Sequence, residues 1–251
     1  GKESSPALIA WIALISILIK GGQIPFGLWV AETMETPSPV AAFINSLVIP
    51  VSTFILFNTF APLLIMHDLM PWLCTIAITS ALASSTAALV QFEIKKVLGY
   101  STIATTSLML LALANNNTSL ALIILTLHAV AKSLLFLTYA SVIQAASGEH
   151  DIRAIGGLGK VLKFSYLNAV IGSVIIILLT CIYILSETSP AYTLVGTVIA
   201  ALVTLSLLRL IAYTFPGKLF GIDAIIARLK PESKQVVLSV IGLSTIAIAA
   251  T

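Results

Sequence analysis

Residues 120–137 read LALIILTLHAVAKSLLFL, an apolar run interrupted only by Thr126, His128, Lys132 and Ser133. Wound as an α-helix, at 1.5 Å per residue, it covers about 27 Å, close to the roughly 30 Å of bilayer hydrocarbon. His128 and Lys132 are four residues apart, so they share one face of that helix. An ionisable side chain inside a membrane span costs roughly 3 kcal/mol, which makes the position a functional candidate by default. A lone buried histidine is more often a satisfied packing residue. A histidine stacked on a lysine needs common hydration or common partners.

The rest of the chain repeats the pattern. It is 59% hydrophobic and 9% charged, with a mean hydropathy of +1.09, whereas soluble domains carry about 25% charged residues. There is too little polar surface to cover a fold in water, so lipid is the solvent. The hydropathy pattern predicts eight spans, near 7–30, 39–66, 70–91, 98–114, 117–146, 161–186, 191–213 and 235–251. Turn or charged residues separate them at 32–39, 67–71, 93–96, 115–117, 148–160 and 216–234. The fold class is all-α, a polytopic membrane protein of about eight transmembrane helices.

The first span holds a second buried cation. Lys20 precedes Gly21 and Gly22 and then Pro25, so the helix is expected to break just past the lysine. Irregular backbone at that depth is tolerated only inside protein or along a water-filled cavity. The alternative, a lysine snorkelling to the headgroups from a helix end, has apolar sequence on both sides against it.

If the spans alternate, Lys95, Lys96, Arg153, Lys160, Lys163, Lys218, Arg228, Lys230 and Lys234 fall on one face, and the other keeps only Lys2. The positive-inside rule makes the first face cytoplasmic, or the matrix in a mitochondrion. The net charge of +3 therefore reports topology, and nucleic acid is not an expected partner. The basic 214–234 loop is suited to anionic lipid headgroups, cardiolipin among them. Both ends read as cut: the chain lacks an initiator Met and stops inside an apolar run.

Other motifs carry little chemistry. Cys74 and Cys181 lie in different spans and suit core packing better than a metal site. Residues 156–160, GGLGK, lack the spacing and the preceding strand of a phosphate loop. The sequence from Asn116 to Thr118 matches a glycosylation acceptor but reads as a turn. Supporting polar residues on the spans include Asn45, Ser46, Ser84, Ser85, Thr86, Ser101, Thr102, Thr105, Thr106 and Ser107. Their hydroxyls can order water between titrating groups or bond helix to helix. Desolvation favours a neutral lysine, and imidazole can carry a proton on either nitrogen, so the three basic residues suit a proton relay.

Five elements then match one family. Pro25, Phe26 and Trp29, followed by ETMETPSPVA at 32–41, resemble the PxxxWLPDAMxGPTPVSAL stretch of the largest antiporter-like subunit of respiratory complex I. EIKKVLGYST at 93–102 resembles its DIKRVLAYST element, and HAVAKSLLFLTYAS at 128–141 its HAFFKALLFLxxGS helix. GEHDIRAIGGLGK at 148–160 is similar to its DxQDIRKMGGL loop, and RLIAYTFPGK at 209–218 to RLxxLTFFGK.

The resemblance implies an inverted-repeat bundle in which two half-bundles, each with a broken, lysine-bearing helix, carry protons along a hydrated axis in the membrane. On it, residues 1–66 close the first half-bundle, 67–213 form the second, 214–234 are a basic interfacial loop and 235–251 begin a further helix. Carried over, Lys20 is the lysine of the first broken helix, and His128 and Lys132 belong to the central relay. Asn45, Ser84, Thr102, Thr106 and Glu187 are supporting polar residues. The chain would belong to an NADH:ubiquinone reductase in the mitochondrial inner membrane, or in a bacterial plasma membrane. It would bind no cofactor itself; NAD, FMN, iron-sulfur clusters and quinone would sit in other subunits. Its partners would be the other membrane subunits of the complex, chains carrying the missing N- and C-terminal parts, and lipid.

Two departures stand out. Asn45 occupies a position where the family has a histidine. The region 167–190 lacks the proline-rich break and Ser-Lys-Asp ending of the second broken helix, offering only Glu187. A divergent structural subunit that no longer pumps, and a cation/proton antiporter subunit, are therefore the alternatives to a proton pump.

Overall fold

The computed structural model describes residues 4–187 and 189–217. Within them the regular structure is helical: α1 (Ser4–Lys20), α2 (Leu28–Glu32), α3 (Ser38–Phe43), α4 (Ile49–Met66), α5 (Met70–Val90), α6 (Ile94–Ala114), α7 (Thr118–Ala145), α8 (Lys163–Ser186) and α9 (Pro190–Thr214), with one isolated bridge between Glu93 and Asp151. A π turn, Ile44–Val48, joins α3 to α4 without interrupting the rod. Among the described residues, six helices are long and apolar enough to cross a membrane: 38–66 and α5 to α9.

The first expected span, 7–30, breaks where the sequence placed the break: α1 ends at Lys20 and the chain turns through 21–27 before the short α2. Two successive glycines and a proline remove the helical preference there. The expected span at 235–251, and the basic loop beyond residue 217, lie outside the described residues.

The centre of the bundle is α6. In its apolar window 89% of the helix is buried inside the protein, against 39% for α5 and α9. It packs against α5, α7 and α9, and against α4. The outer helices turn large apolar side chains outward, Leu122, Leu167, Leu185 and Leu194 among them, as lipid solvation requires. The α8 helix runs unbroken, in keeping with its lack of an internal proline.

The 148–160 loop is fastened to the α5–α6 connection. Ile94 N donates to His150 O at 3.0 Å, and Ile152 N to Phe92 O at 2.9 Å. The guanidinium groups of Arg153 and Arg209 both lie over the Phe92 ring, 4.1 and 5.0 Å from its centroid. Arg153 also grips Asp151 at 2.6 Å, and the hydrogen bonds it gives hold that exposed carboxyl below the usual carboxylate range. Residues 115–117 make the expected turn, with Asn117 Oδ1 accepting from Leu120 N to cap α7. In GGLGK, residues 158–160 form a single 3₁₀ turn.

Candidate functional site

The facing turns of α6 and α7 place two polar pairs one above the other. Lys132 is fully buried, and its amine donates to Leu98 O at 2.9 Å and to Ser101 Oγ. One turn away along both helices, Thr105 Oγ1 lies 2.7 Å from His128 Nδ1. The other ring nitrogen, Nε2, donates to the main-chain carbonyl of Asn45 at 3.1 Å. Three helical units therefore converge on this point: α6, α7 and the π turn between α3 and α4.

The α6 helix can hold these groups because its hydroxyls bond to their own helix. Ser101 Oγ reaches Leu98 O at 2.9 Å, Thr102 Oγ1 reaches the same oxygen at 3.1 Å, and Thr105 Oγ1 reaches Ser101 O at 3.0 Å and Thr102 O at 3.1 Å. A carbonyl has two lone pairs and a hydroxyl one proton, so these contacts cannot all be made at once. The hydroxyls therefore have alternative settings, chosen by what Lys132 and His128 require. The two ion pairs among the described residues, Lys96 with Glu93 and Arg153 with Asp151, lie away from this point. The amine of Lys132 thus rests on neutral oxygen acceptors in the interior, a costly arrangement for a charged group.

The break after α1 is assembled differently from the sequence expectation. Gln23 is fully buried; its Nε2 donates to Gly21 O at 2.8 Å and its Oε1 accepts from Ser107 Oγ at 2.8 Å. Ile24 N donates to Ser80 Oγ at 2.9 Å, and the Trp29 indole donates at 2.7 Å to Ile19 O, which also accepts from Gly22 N at 3.1 Å. Lys20 itself is exposed at the surface of the chain, and the structure does not bring it together with His128 or Lys132. Gln23 was missed. The signal was an amide directly after two glycines in an apolar stretch.

Of the supporting residues, Asn45 is fully buried, with Nδ2 on Ala41 O at 3.0 Å and Thr33 Oγ1 at 3.3 Å, while its Oδ1 has no partner among the described residues. Thr106 Oγ1 is likewise buried without a partner there. Thr102 serves α6 alone, and Ser84 lines a cleft of about 400 Å³ beside the break. Glu187 is at the far end of α8, accepting from Asn115 Nδ2 at 3.3 Å.

Lys95 requires a correction. Read as a loop cation, it is instead buried at the base of α6, where its amine donates to Met34 O and Thr36 O, both at 3.0 Å. Charge-assisted bonds of this kind contribute roughly 1.5–3 kcal/mol each. Lys95→Met should accelerate hydrogen–deuterium exchange across residues 33–41 while sparing α7. Wild-type exchange in that segment would show that the amine does not hold it.

Comparison with known proteins agrees with this architecture. Residues 2–180 match the family described as NADH:quinone oxidoreductase/Mrp antiporter, transmembrane. NADH-quinone oxidoreductase subunit L of Buchnera aphidicola is 33% identical over 165 residues, covering 65% of this chain and 27% of its own. NADH-ubiquinone oxidoreductase chain 5 of Halichoerus grypus is 36% identical over 168 residues, 64% of this chain and 27% of its own. That of Sus scrofa is 32% identical over 223 residues, 82% and 37%. The chain thus spans well under half the length of the curated relatives it matches.

Proposed function

This chain belongs to the NADH:quinone oxidoreductase/Mrp antiporter transmembrane family, and we propose that it translocates protons across an energy-transducing membrane as a membrane part of an NADH:quinone oxidoreductase. Electron transfer from NADH to quinone takes place in other subunits, which hold the redox cofactors. The observation that carries the reading is the fully buried amine of Lys132, set on Leu98 O and Ser101 Oγ one turn from the Thr105 and His128 pair. A proton on Lys132 disfavours a second charge on His128, and the hydroxyls of Ser101 and Thr105 reorient with either change. The surrounding membrane is the mitochondrial inner membrane or a bacterial plasma membrane, with the α5–α6 and α7–α8 connections on the matrix or cytoplasmic side. Lys96, Arg153, Lys160 and Lys163 support that orientation; Lys95, being buried, does not count towards it. The other membrane subunits of the complex and anionic lipid are its partners.

The unbroken α8, with neither a central proline nor a central lysine and only Glu187 at its end, favours a second reading, a structural subunit that no longer pumps. The two are separated by NADH-driven proton translocation in liposomes holding the assembled oxidoreductase with Ser101→Ala. The pump reading expects fewer protons per electron at an unchanged rate of quinone reduction. An unchanged ratio supports the structural reading, and loss of transport when sodium is removed supports a cation antiporter.

A further inference from the structure

We propose that His128 is a one-sided proton acceptor, whose ring is held protonated at Nε2 by the Asn45 carbonyl and exchanges its proton only through Nδ1, on the Thr105 side. The consequence for transport rests on the proton-translocating reading above; the state of the ring does not. A carbonyl oxygen can only accept, so the nitrogen 3.1 Å from Asn45 O carries a hydrogen. In the neutral ring the other nitrogen is then bare, and the Thr105 hydroxyl at 2.7 Å donates to it.

The carbonyl is free for a reason visible in the backbone. In the π turn, Ile49 N bonds Ile44 O, five residues back. The next amide in that register, the one that would take Asn45 O, belongs to Pro50, which has no N–H. Helix α4 therefore begins by leaving one carbonyl unclaimed in a buried position, and His128 claims it. Two chain-local features, the widened turn and the proline, select the tautomer of a side chain on another helix.

A ring that relays must accept at one nitrogen and deliver from the other to a group that passes the proton on. A peptide carbonyl cannot do this. On uptake, the Nδ1 lone pair binds the incoming proton, and the new N–H donates to Thr105 Oγ1. The Thr105 hydroxyl turns its own proton to Ser101 O at 3.0 Å or Thr102 O at 3.1 Å. Release reverses each change, and Nε2 keeps its proton throughout. The groups facing the ring are Thr105 from α6 and the neutral Asn45 from the α3–α4 rod, with Lys132 one turn away on α7. His128 thus stores charge beside Lys132 and acts through it, while protons pass along the α6 side.

The test is ¹⁵N NMR of the histidine ring in the intact assembly, with the His128 resonance identified by its loss in His128→Gln. The expected result is a neutral ring protonated at Nε2; a ring protonated at Nδ1 overturns the proposal. Pro50→Val restores an amide that can compete for Asn45 O, and a second tautomer should appear; an unchanged ring overturns the role given to Pro50. Should that variant fail to assemble, Asn45→Ala keeps the carbonyl and removes only the side chain. It should leave the tautomer intact, and a changed tautomer overturns the assignment to the backbone. Expected spectra from an assembly that moves no protons would sink the transport reading and leave the one-sided ring standing.

Discussion

On the proposed pump reading, Lys132→Met should leave the assembled oxidoreductase passing electrons to quinone while lowering the number of protons moved per electron, without loss of stability. Methionine is nearly as long as lysine and flexible, so it fills the fully buried site without leaving a cavity. Leu98 O keeps other donors, since Ser101 Oγ and Thr102 Oγ1 lie at 2.9 and 3.1 Å, so no acceptor is stranded. Replacing buried charge by apolar volume is commonly neutral or stabilising, by about 1–4 kcal/mol where ion pairs have been exchanged. The expected pattern is a thermal midpoint equal to or above wild type, with the proton-to-electron ratio reduced by this subunit's share. Lys132→Ala should lose pumping as well but also stability, because it opens a cavity. A wild-type ratio in Lys132→Met would remove Lys132 from the transport path.

Among the described glycines, Gly22→Val should be the most damaging substitution. Gly22 adopts φ +63°, and a Cβ there would stand 2.5 Å from Val30 Cγ2 and 3.4 Å from Ile103 Cγ1. Left-handed backbone costs a side-chain-bearing residue about 1–2 kcal/mol, and overpacking adds about 1–3 kcal/mol. The break is fastened to α5 and α6 through Ile24, Gln23 and their hydroxyl partners, so the strain falls on these bonds too. A loss of roughly 2–5 kcal/mol is expected, read as a lowered thermal midpoint or reduced incorporation into the complex. Gly148→Ala provides the control: its φ is +91°, but nothing lies within 4 Å of the added Cβ. It should show the backbone cost alone. Equal losses in Gly22→Ala and Gly148→Ala would mean that the break yields to the clash.

The membrane class, the helical segments from residue 38 to residue 214 and the shared face of His128 and Lys132 were all legible in the residues. Each depends on interactions within one helix or with lipid, and a helix of 3.6 residues per turn writes them into spacing. The break after Lys20 was legible as well, because Gly21, Gly22 and Pro25 act on their own backbone. The phosphate-loop reading could be set aside on spacing, and the glycosylation reading on the shortness of the turn that holds Asn116.

Partnership across helices was not legible. Ser101, Thr102, Thr105 and Thr106 have similar chemistry, but successive residues point about 100° apart on α6, so its rotation against α7 decides which hydroxyl meets His128. The same holds for the lysines: Lys20 is exposed, while Lys95, in what looked like a loop, is buried on two carbonyls. Asn45 was noticed for the side chain that replaces the family's histidine, whereas its contact with His128 is through the backbone. The residues alone determined that basic side chains lie within apolar spans, because hydropathy is a property of each stretch by itself. Only the tertiary structure decided which oxygen each charge rests on, because a hydrogen bond depends on the distance and angle between two independently placed helices.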